Sequence, residues 1–428
     1  MIATTPQNRN TLHPIPLATE ILIVTLGLAV VSALAHATPP SGPVTSDYFG
    51  MTMVDADAPW PDVPVGALAK GTRVTWPYAE PNPPVNGKHT YHWATLDAWV
   101  AKAQNAGVDF FFSPGYVPLW AVQNTSSCIP GFAPPPAVFC KGMVADIANW
   151  DAYTTALVTR YRGRIKFYEL WNEPYNPAVF VGPVADMVTL TTHFHDVIRA
   201  IDPSAKILCC SFYGYNAQWM DSFFAAGATK DFDIASFHAY PNPNNDIAET
   251  LNGSMSTEVV KVLNKYGFSD KPLWDTEGGW GSQPSGAITD PTLQAAFVAR
   301  WLLLHWSSGT QRVYWYAWDN VQWGTLWTKT GGDTAAAQAW KEVASWMLGA
   351  VMPQSCSMTG RGIYDAVYAC TLNRGSHDSR AVWKTKGNST YSAPAQHTHY
   401  KDLQGVVHAV PGTHKVPIGV EPILLETE

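Results

Sequence analysis

The apolar positions of the chain follow two alternating patterns, short continuous runs and longer stretches with a three- and four-residue repeat. Short apolar runs are typical of strands buried on both faces, and the longer repeat indicates amphipathic helices. Eight runs predict strands, at Tyr48–Val54, Arg73–Trp76, Asp109–Ser113, Lys166–Trp171, Lys206–Ser211, Ile234–His238, Pro272–Thr276 and Arg312–Trp318. The stretches between them predict helices that include Trp93–Ala106, Trp150–Tyr161, Val184–Ile201, Ser256–Tyr266, Pro291–Ser307 and Thr334–Leu348.

Eight alternating strands and helices predict an α/β fold, the (β/α)8 TIM barrel. A doubly wound open sheet is the alternative, but it usually has fewer strands and a glycine-rich phosphate loop, which this sequence lacks. Helical periodicity stops near Ala350, and Val367–Leu372, Ser379–Lys384 and Gly405–His408 have the character of short strands. The sequence therefore predicts a barrel over residues 38–350 and a small, sandwich-like antiparallel β-domain over residues 351–428.

The first 37 residues have the features of an export signal. A polar start containing Arg9 precedes the apolar stretch Ile21–Leu34, and Ala35-His36-Ala37 matches a small-x-small cleavage site. The apolar stretch is short for a membrane span. We therefore expect a secreted or periplasmic protein without stable membrane association after cleavage; an uncleaved anchor is the alternative.

The cysteines suit an oxidising compartment. Cys128 and Cys140 flank a proline-rich loop, and Cys356 and Cys370 flank a predicted hairpin, so both pairs are expected to form local disulfides. The adjacent Cys209 and Cys210 lie in an apolar strand. Neighbouring side chains of a strand point to opposite faces, so these two are predicted to be buried free thiols.

Composition narrows the class of ligand. The net charge of −7 and the absence of a basic run argue against nucleic acid. No phosphate loop and no metal-ligand cluster of His or Cys is present, so neither a cofactor nor a metal is expected. The 19 tryptophans exceed what a core ordinarily requires, and flat aromatic faces are surfaces on which pyranose rings stack. A poly- or oligosaccharide is the expected partner of a monomeric protein.

Two short strings place carboxylates at predicted strand ends, Glu169-Leu170-Trp171-Asn172-Glu173-Pro174 and Trp274-Asp275-Thr276-Glu277-Gly278-Gly279-Trp280. The chemistry of a barrel of this type occurs at the carboxyl ends of its strands. Hydrolysis of a glycosidic bond needs two carboxyl groups, one to protonate the leaving oxygen and one to attack the sugar or activate water. Both strings therefore indicate a glycosidase.

The string from Tyr168 to Pro174, with a Glu after the seventh strand, resembles the retaining glycoside hydrolases of clan A. It is most similar to glycoside hydrolase family 39 and the related exopolysaccharide endoglycosidases. The resemblance implies that Glu173 is the general acid/base, Glu277 the nucleophile, and Asn172 a contact to the sugar 2-hydroxyl. A general acid must be protonated, so we expect a raised pKa at Glu173, and a retaining mechanism requires the two carboxyl groups to lie about 5–5.5 Å apart.

The same resemblance assigns further residues to the sugar site. Arg73 matches an arginine that steadies the nucleophile, although an ordinary ion pair within the barrel, with Glu169, explains it equally well. His238 and Tyr240 match a His and a Tyr beside the nucleophile. Three tryptophans are candidate sugar platforms, namely Trp318, Trp280 and Trp120. Many clan members have a substrate-contacting His after the first strand, and none is present in Tyr48–Met53.

The sequence thus predicts a secreted retaining glycoside hydrolase that cleaves O-glycosidic bonds by double displacement with two glutamates. One alternative is a non-catalytic glycan-binding barrel. The other is a transglycosylase, which uses the same residues and differs only in whether sugar or water attacks the intermediate. Sugar identity and the choice between endo and exo action stay open.

Overall fold

A computed structural model describes residues 38–69, 74–130, 138–241, 246–281, 288–320 and 323–427. The predicted export signal and Arg73 lie outside these residues. Within the described ranges, no helix combines the length and apolar character that a membrane span requires.

Eight parallel strands close into a barrel, as predicted. They are β1 (Phe49–Thr52), β2 (Ala67–Ala69), β3 (Asp109–Phe112), β4 (Phe167–Glu169), β5 (Lys206–Tyr213), β6 (Ile234–Ala239), β7 (Leu273–Gly278) and β8 (Thr310–Trp315). Each strand pairs with its neighbour in sequence, and β8 closes the barrel on β1. The carboxyl ends of β4 to β7 therefore lie side by side at one rim.

The described residues form eight α-helices, most of which the sequence predicts. They are α1 (Trp76–Ala79), α2 (Ala94–Asn105), α3 (Ile147–Tyr161), α4 (Val184–Ile201), α5 (Ala217–Ala225), α6 (Glu249–Lys265), α7 (Pro291–Ser307) and α8 (Ala335–Met347). Helix α7 starts where expected because the Asp290 side chain accepts hydrogen bonds from the backbone N–H groups of Thr292 and Leu293, and Pro291 needs no such partner. The sequence did not predict α1 or α5.

The second strand was predicted wrongly. The run Arg73–Trp76 was expected to form it, but β2 is the three-residue segment Ala67–Ala69, and Trp76 begins the one-turn helix α1. Pro77 explains the difference, because proline lacks an N–H for a sheet and suits the first turn of a helix. Trp76 is fully buried and stacks on Tyr153, with ring centroids 5.1 Å apart.

The C-terminal region is antiparallel, as predicted. Its strands are β9 (Ser357–Gly360), β10 (Ala366–Arg374), β11 (His377–Lys384), β12 (Ser389–Ser392), β13 (His399–Lys401), β14 (Val407–Ala409), β15 (Lys415–Ile418) and β16 (Ile423–Glu426). Six of them form a sheet in the order β9-β10-β11-β16-β13-β14, and β12 pairs with β15. The division into separate domains at residue 350 stays a prediction.

A buried charged cluster joins this region to two barrel helices. Glu249 of α6 and Arg300 of α7 are nearly inaccessible to solvent and lie 3.5 Å apart. Glu249 also accepts a hydrogen bond from the Trp383 indole of β11, and Arg300 donates to the Val420 carbonyl oxygen. Each of these two buried charges thus has a hydrogen-bond partner in the C-terminal region. Packing of that region against the barrel therefore helps to satisfy both charges.

All six cysteines are disulfide-bonded. Cys128–Cys140 and Cys356–Cys370 pair as predicted. The prediction of free thiols at Cys209 and Cys210 is wrong, because these two are bonded to each other. The prediction assumed a regular strand, whereas the pairing of β5 with β6 shifts register between Cys209 and Phe212, so side chains do not simply alternate between faces there.

Glu249→Ala should destabilise the fold by about 3–5 kcal/mol, because it leaves the Arg300 guanidinium buried without its carboxylate. Chemical denaturation followed by tryptophan fluorescence measures the change. Asp62→Ala is the matched control, because it removes an exposed ion pair with Lys341 and should leave stability almost unchanged. Equal effects of the two substitutions would contradict this account of the junction.

Candidate active site

The two glutamates of the sequence motifs meet at the carboxyl rim of the barrel. Glu173 follows the end of β4 by four residues, and Glu277 lies near the end of β7. Strand β6 contributes His238 and, one residue beyond its end, Tyr240. The reactive atoms of Glu173, His238 and Glu277 all lie within 4.8 Å of one another.

The backbone around Glu173 is held in an uncommon conformation. Its φ is +41°, in the left-handed region that residues with a Cβ seldom adopt. The Glu173 N–H donates to the Ser211 hydroxyl oxygen at 2.7 Å, and that hydroxyl donates to the Trp171 carbonyl oxygen at 2.8 Å. Ser211 of β5 therefore ties down the loop that follows β4, and this fixes where the Glu173 side chain begins.

Three donors surround the Glu173 carboxylate. His238 Nδ1 lies 2.8 Å from Oε1, the Asn176 amide donates to Oε2 at 2.8 Å, and the Tyr175 hydroxyl forms a further hydrogen bond. His238 is fully buried, whereas the Glu173 side chain retains 14% of its exposure. The carboxylate thus has fixed partners on the protein side and access to the cleft on the other.

Glu277 is positioned by strand pairing. It lies opposite His238 in the register of β6 and β7, and the Tyr240 hydroxyl donates to its Oε1 at 3.0 Å. Burial, and then the charge of Glu277, raise the pKa of Tyr240 far above its ordinary value, so the phenol stays protonated as a donor. The next residue must be glycine, because a Cβ at Gly278 would lie 2.6 Å from the Ala239 carbonyl oxygen.

The expectation of a raised pKa at Glu173 is not met. Burial raises the pKa of this carboxyl, but the hydrogen bond and charge of His238, with the donors Asn176 and Tyr175, lower it to about 2. Because this value lies below the ordinary 4.5, the ionised carboxylate stabilises the fold above about pH 4.5. That contribution is lost as the pH falls towards 2.

The glutamates lie in a cleft with two compartments. The smaller compartment, of about 570 Å³, is lined by Glu173, Tyr175, Asn176, Pro177, Tyr213, Asn216, Tyr240, Glu277, Tyr316 and Trp323. The larger compartment, of about 1170 Å³, shares Glu277, Tyr316 and Trp323 with the smaller one but is not lined by Glu173. Glu277 therefore lies where the compartments meet, and Glu173 faces the smaller one.

The structure brings only some of the predicted sugar-site residues into the cleft. Asn172 lines the larger compartment and Tyr240 the smaller one, whereas Arg73 falls outside the described residues. Trp318 and Trp280 line neither compartment; they are 1% and 2% exposed, and Trp280 packs on Phe297 and Trp315 in the core.

Trp120 also lies outside both compartments. Its indole N–H donates to the Glu80 carbonyl oxygen, and its ring packs edge-on against Trp76. The resemblance suggests these three tryptophans as platforms, but it does not show how their side chains pack in this chain.

Four aromatic residues of the smaller compartment were missed. Tyr316 follows β8 directly, Tyr213 ends β5, Tyr175 follows the Asn-Glu-Pro motif, and Trp323 lies in the loop after β8. Three of them had a signal in the sequence, because Tyr213 and Tyr316 lie at or just after the end of a barrel strand and Tyr175 follows the Asn-Glu-Pro motif.

Glu173, His238 and Glu277 are also the described residues whose geometry could hold a cation. The hydrogen bond from His238 to Glu173 already accounts for their closeness without an ion.

Residues 190–343 match a family model described as the glycosyl hydrolase catalytic core. No curated protein matches the sequence significantly. The matched segment includes Glu277 but not the motif around Glu173, and it agrees with the resemblance to glycoside hydrolases.

Solved structures show the same fold at low sequence identity. A GH39 enzyme from Xanthomonas axonopodis pv. citri is 14% identical, with a TM-score of 0.63 over 94% of this chain and 100% of that one. A GH39 β-xylosidase from Caulobacter crescentus is 13% identical, with a TM-score of 0.62 over 92% and 99%. A glucosidase from Croceicoccus marinus is 14% identical, with a TM-score of 0.58 over 92% and 98%.

His238→Ala should raise the pKa of Glu173 from about 2 to above 4.5, because burial then acts without its main opposing donor. Carbon-13 NMR titration of labelled glutamate carboxyls measures the pKa. Tyr240→Phe is the matched control, since it removes a donor from Glu277 and leaves the three donors of Glu173 in place. An unchanged pKa in His238→Ala would show that His238 does not set the ionisation of Glu173.

Proposed function

We propose that the protein is a secreted retaining glycoside hydrolase that cleaves O-glycosidic bonds of a poly- or oligosaccharide by double displacement. One observation carries the proposal: two glutamates face one cleft with carboxylate oxygens within 4.8 Å, close to the separation of about 5–5.5 Å typical of retaining enzymes. A non-catalytic glycan-binding barrel would not need this pair.

In the first step, a Glu277 oxygen attacks the anomeric carbon while Glu173 protonates the leaving oxygen. Glu277 suits attack because it is held from one side by Tyr240 and exposed to the cleft on the other. Breaking the glycosidic bond leaves the sugar bonded to Glu277 as an ester and releases the remainder of the substrate as an alcohol.

The proton for this step must reside on Glu173, whereas His238 favours the ionised form in the free cleft. Bound substrate excludes water, and a dry site disfavours a separated pair of charges. Substrate binding therefore favours the protonated form of the Glu173 carboxyl, whose Oε1 lies 2.8 Å from His238 Nδ1.

In the second step, Glu173 removes a proton from water, and the water oxygen attacks the anomeric carbon. The bond to Glu277 breaks, and the sugar leaves with its original configuration. A sugar hydroxyl in place of water gives transglycosylation by the same residues.

Export and domain organisation belong to the same proposal. Three disulfides suit an oxidising compartment, which supports removal of residues 1–37 as an export signal. The barrel at 38–350 would carry the catalytic cleft, and the β-region at 351–428 would support it structurally. The exported protein would act as a monomer.

Variants of the two glutamates should separate their roles on an activated aryl glycoside. The xylosidase and glucosidase among the structural neighbours make dinitrophenyl β-xylosides and β-glucosides the first probes. Glu277→Ala should lose nearly all activity, because the glycosyl-enzyme cannot form. Glu173→Ala should form this intermediate and then stall, because water lacks its general base, and azide should restore turnover with a β-azide product.

Product configuration by proton NMR and steady-state rates with and without azide are the measurements. Glu258→Ala is the control, because this glutamate is exposed on helix α6 and should keep full activity. A β-azide product from Glu277→Ala, combined with loss of activity in Glu173→Ala that azide restores only as the α-azide, would reverse the roles. Full activity in both Glu173→Ala and Glu277→Ala would contradict the proposed function.

A further inference from the structure

We infer that Tyr175 and Tyr213 form a platform that binds the sugar released as the leaving group, so the substrate is a saccharide with a sugar on both sides of the cleaved bond. This inference rests on the proposed function, because it assigns a substrate class to the same cleft. Tyr175 and Tyr213 are named the tyrosine platform below.

The roles of the two glutamates indicate which part of the substrate occupies each compartment. The general acid must touch the leaving oxygen, and the nucleophile must touch the anomeric carbon. Glu173 lines only the smaller compartment, whereas Glu277 lines both. The leaving group therefore occupies the smaller compartment, and the sugar that becomes bonded to Glu277 occupies the larger one.

The smaller compartment has the composition of a sugar site. The two rings of the tyrosine platform stack on each other, with centroids 6.0 Å apart and planes 21° from parallel. Both are half-buried and line the cavity together with the side-chain amides of Asn176 and Asn216. Flat apolar faces beside a few amide groups match a pyranose, which has apolar ring faces and hydroxyls at its edge. A leaving group without a ring would leave these faces unused.

The tyrosine platform is fixed to the catalytic residues. The Tyr175 hydroxyl hydrogen bonds to the Glu173 carboxylate. Tyr213 ends β5 opposite His238 in the strand register, and its hydroxyl donates to the Tyr240 carbonyl oxygen at 3.2 Å. A sugar on the platform is thus held at a set position relative to the general acid, as orientation of a leaving group requires.

The same platform should receive a sugar acceptor in the second step. The acceptor hydroxyl oxygen attacks the anomeric carbon, its proton moves to Glu173, and the bond between that carbon and the Glu277 oxygen breaks. Methanol can undergo the same reaction without touching the platform. The ratio of transfer to a sugar over transfer to methanol therefore measures the platform separately from the carboxylates.

The test uses the full exported chain and whichever dinitrophenyl glycoside it hydrolyses fastest, with equal concentrations of methanol and of xylobiose, cellobiose or mannobiose in separate reactions. Products are quantified by chromatography and mass spectrometry. The wild type should transfer preferentially to at least one disaccharide. Tyr213→Ala should reduce that ratio about tenfold, the effect of losing one good ring contact.

Two variants serve as controls. Tyr213→Phe keeps the ring and should keep the ratio within about twofold of the wild type. Tyr364→Ala removes an exposed tyrosine of the C-terminal region and should change neither hydrolysis nor the ratio. Hydrolysis without preference for any disaccharide, or an unchanged ratio in Tyr213→Ala, would overturn the inference and leave the proposed function standing. Absence of glycoside hydrolysis in the wild type would overturn both.

Discussion

The site depends on keeping two carboxylates close together, and the rest of the structure serves this constraint. Two unit charges 4.8 Å apart repel each other by about 3 kcal/mol at the effective dielectric of protein sites. Donors from strand β6 and from the residue after it offset this repulsion, His238 at Glu173 and Tyr240 at Glu277. Because β6 pairs directly with β7, the barrel places the donors and Glu277 in one register. The strand pairing that closes the barrel therefore also determines which donors reach the two carboxylates.

The Glu173 carboxylate is not carried on a barrel strand, and its position requires an uncommon backbone conformation. Glu173 lies beyond the end of β4 in a left-handed backbone conformation, which is sparsely populated for residues with a side chain. Ser211 satisfies the backbone N–H there and anchors the loop to β5. The loop also carries Tyr175 and Asn176, which bond to the carboxylate and line the cleft. This turn thus positions the proposed acid, its donors and part of the proposed sugar surface.

Much of the fold and both glutamates could be predicted from the sequence, because local signals there were strong. Helices Val184–Ile201 and Pro291–Ser307 combine regular periodicity with clear ends, and their bounds agree with the prediction. Strand β2 was missed because the three residues Ala67–Ala69 are too few to show a pattern, whereas Arg73–Trp76 contains β-prone residues. Trp318 matches a sugar platform through the resemblance alone, which does not show that its side chain is only 1% exposed here. The direction of the Glu173 pKa depends on a histidine 65 residues away in sequence, which only the folded barrel brings near.

The most direct test of the two-glutamate account is to trap the glycosyl-enzyme. A dinitrophenyl 2-deoxy-2-fluoro-glycoside reacts in the first step and turns over slowly in the second, so the sugar accumulates on the nucleophile. After proteolysis, tandem mass spectrometry locates the added glycosyl mass. The account predicts one label per chain, on Glu277. A label on Asp275, which is fully buried beside His305, or on Glu173, would contradict it, as would turnover of ordinary substrates with inverted configuration and no label.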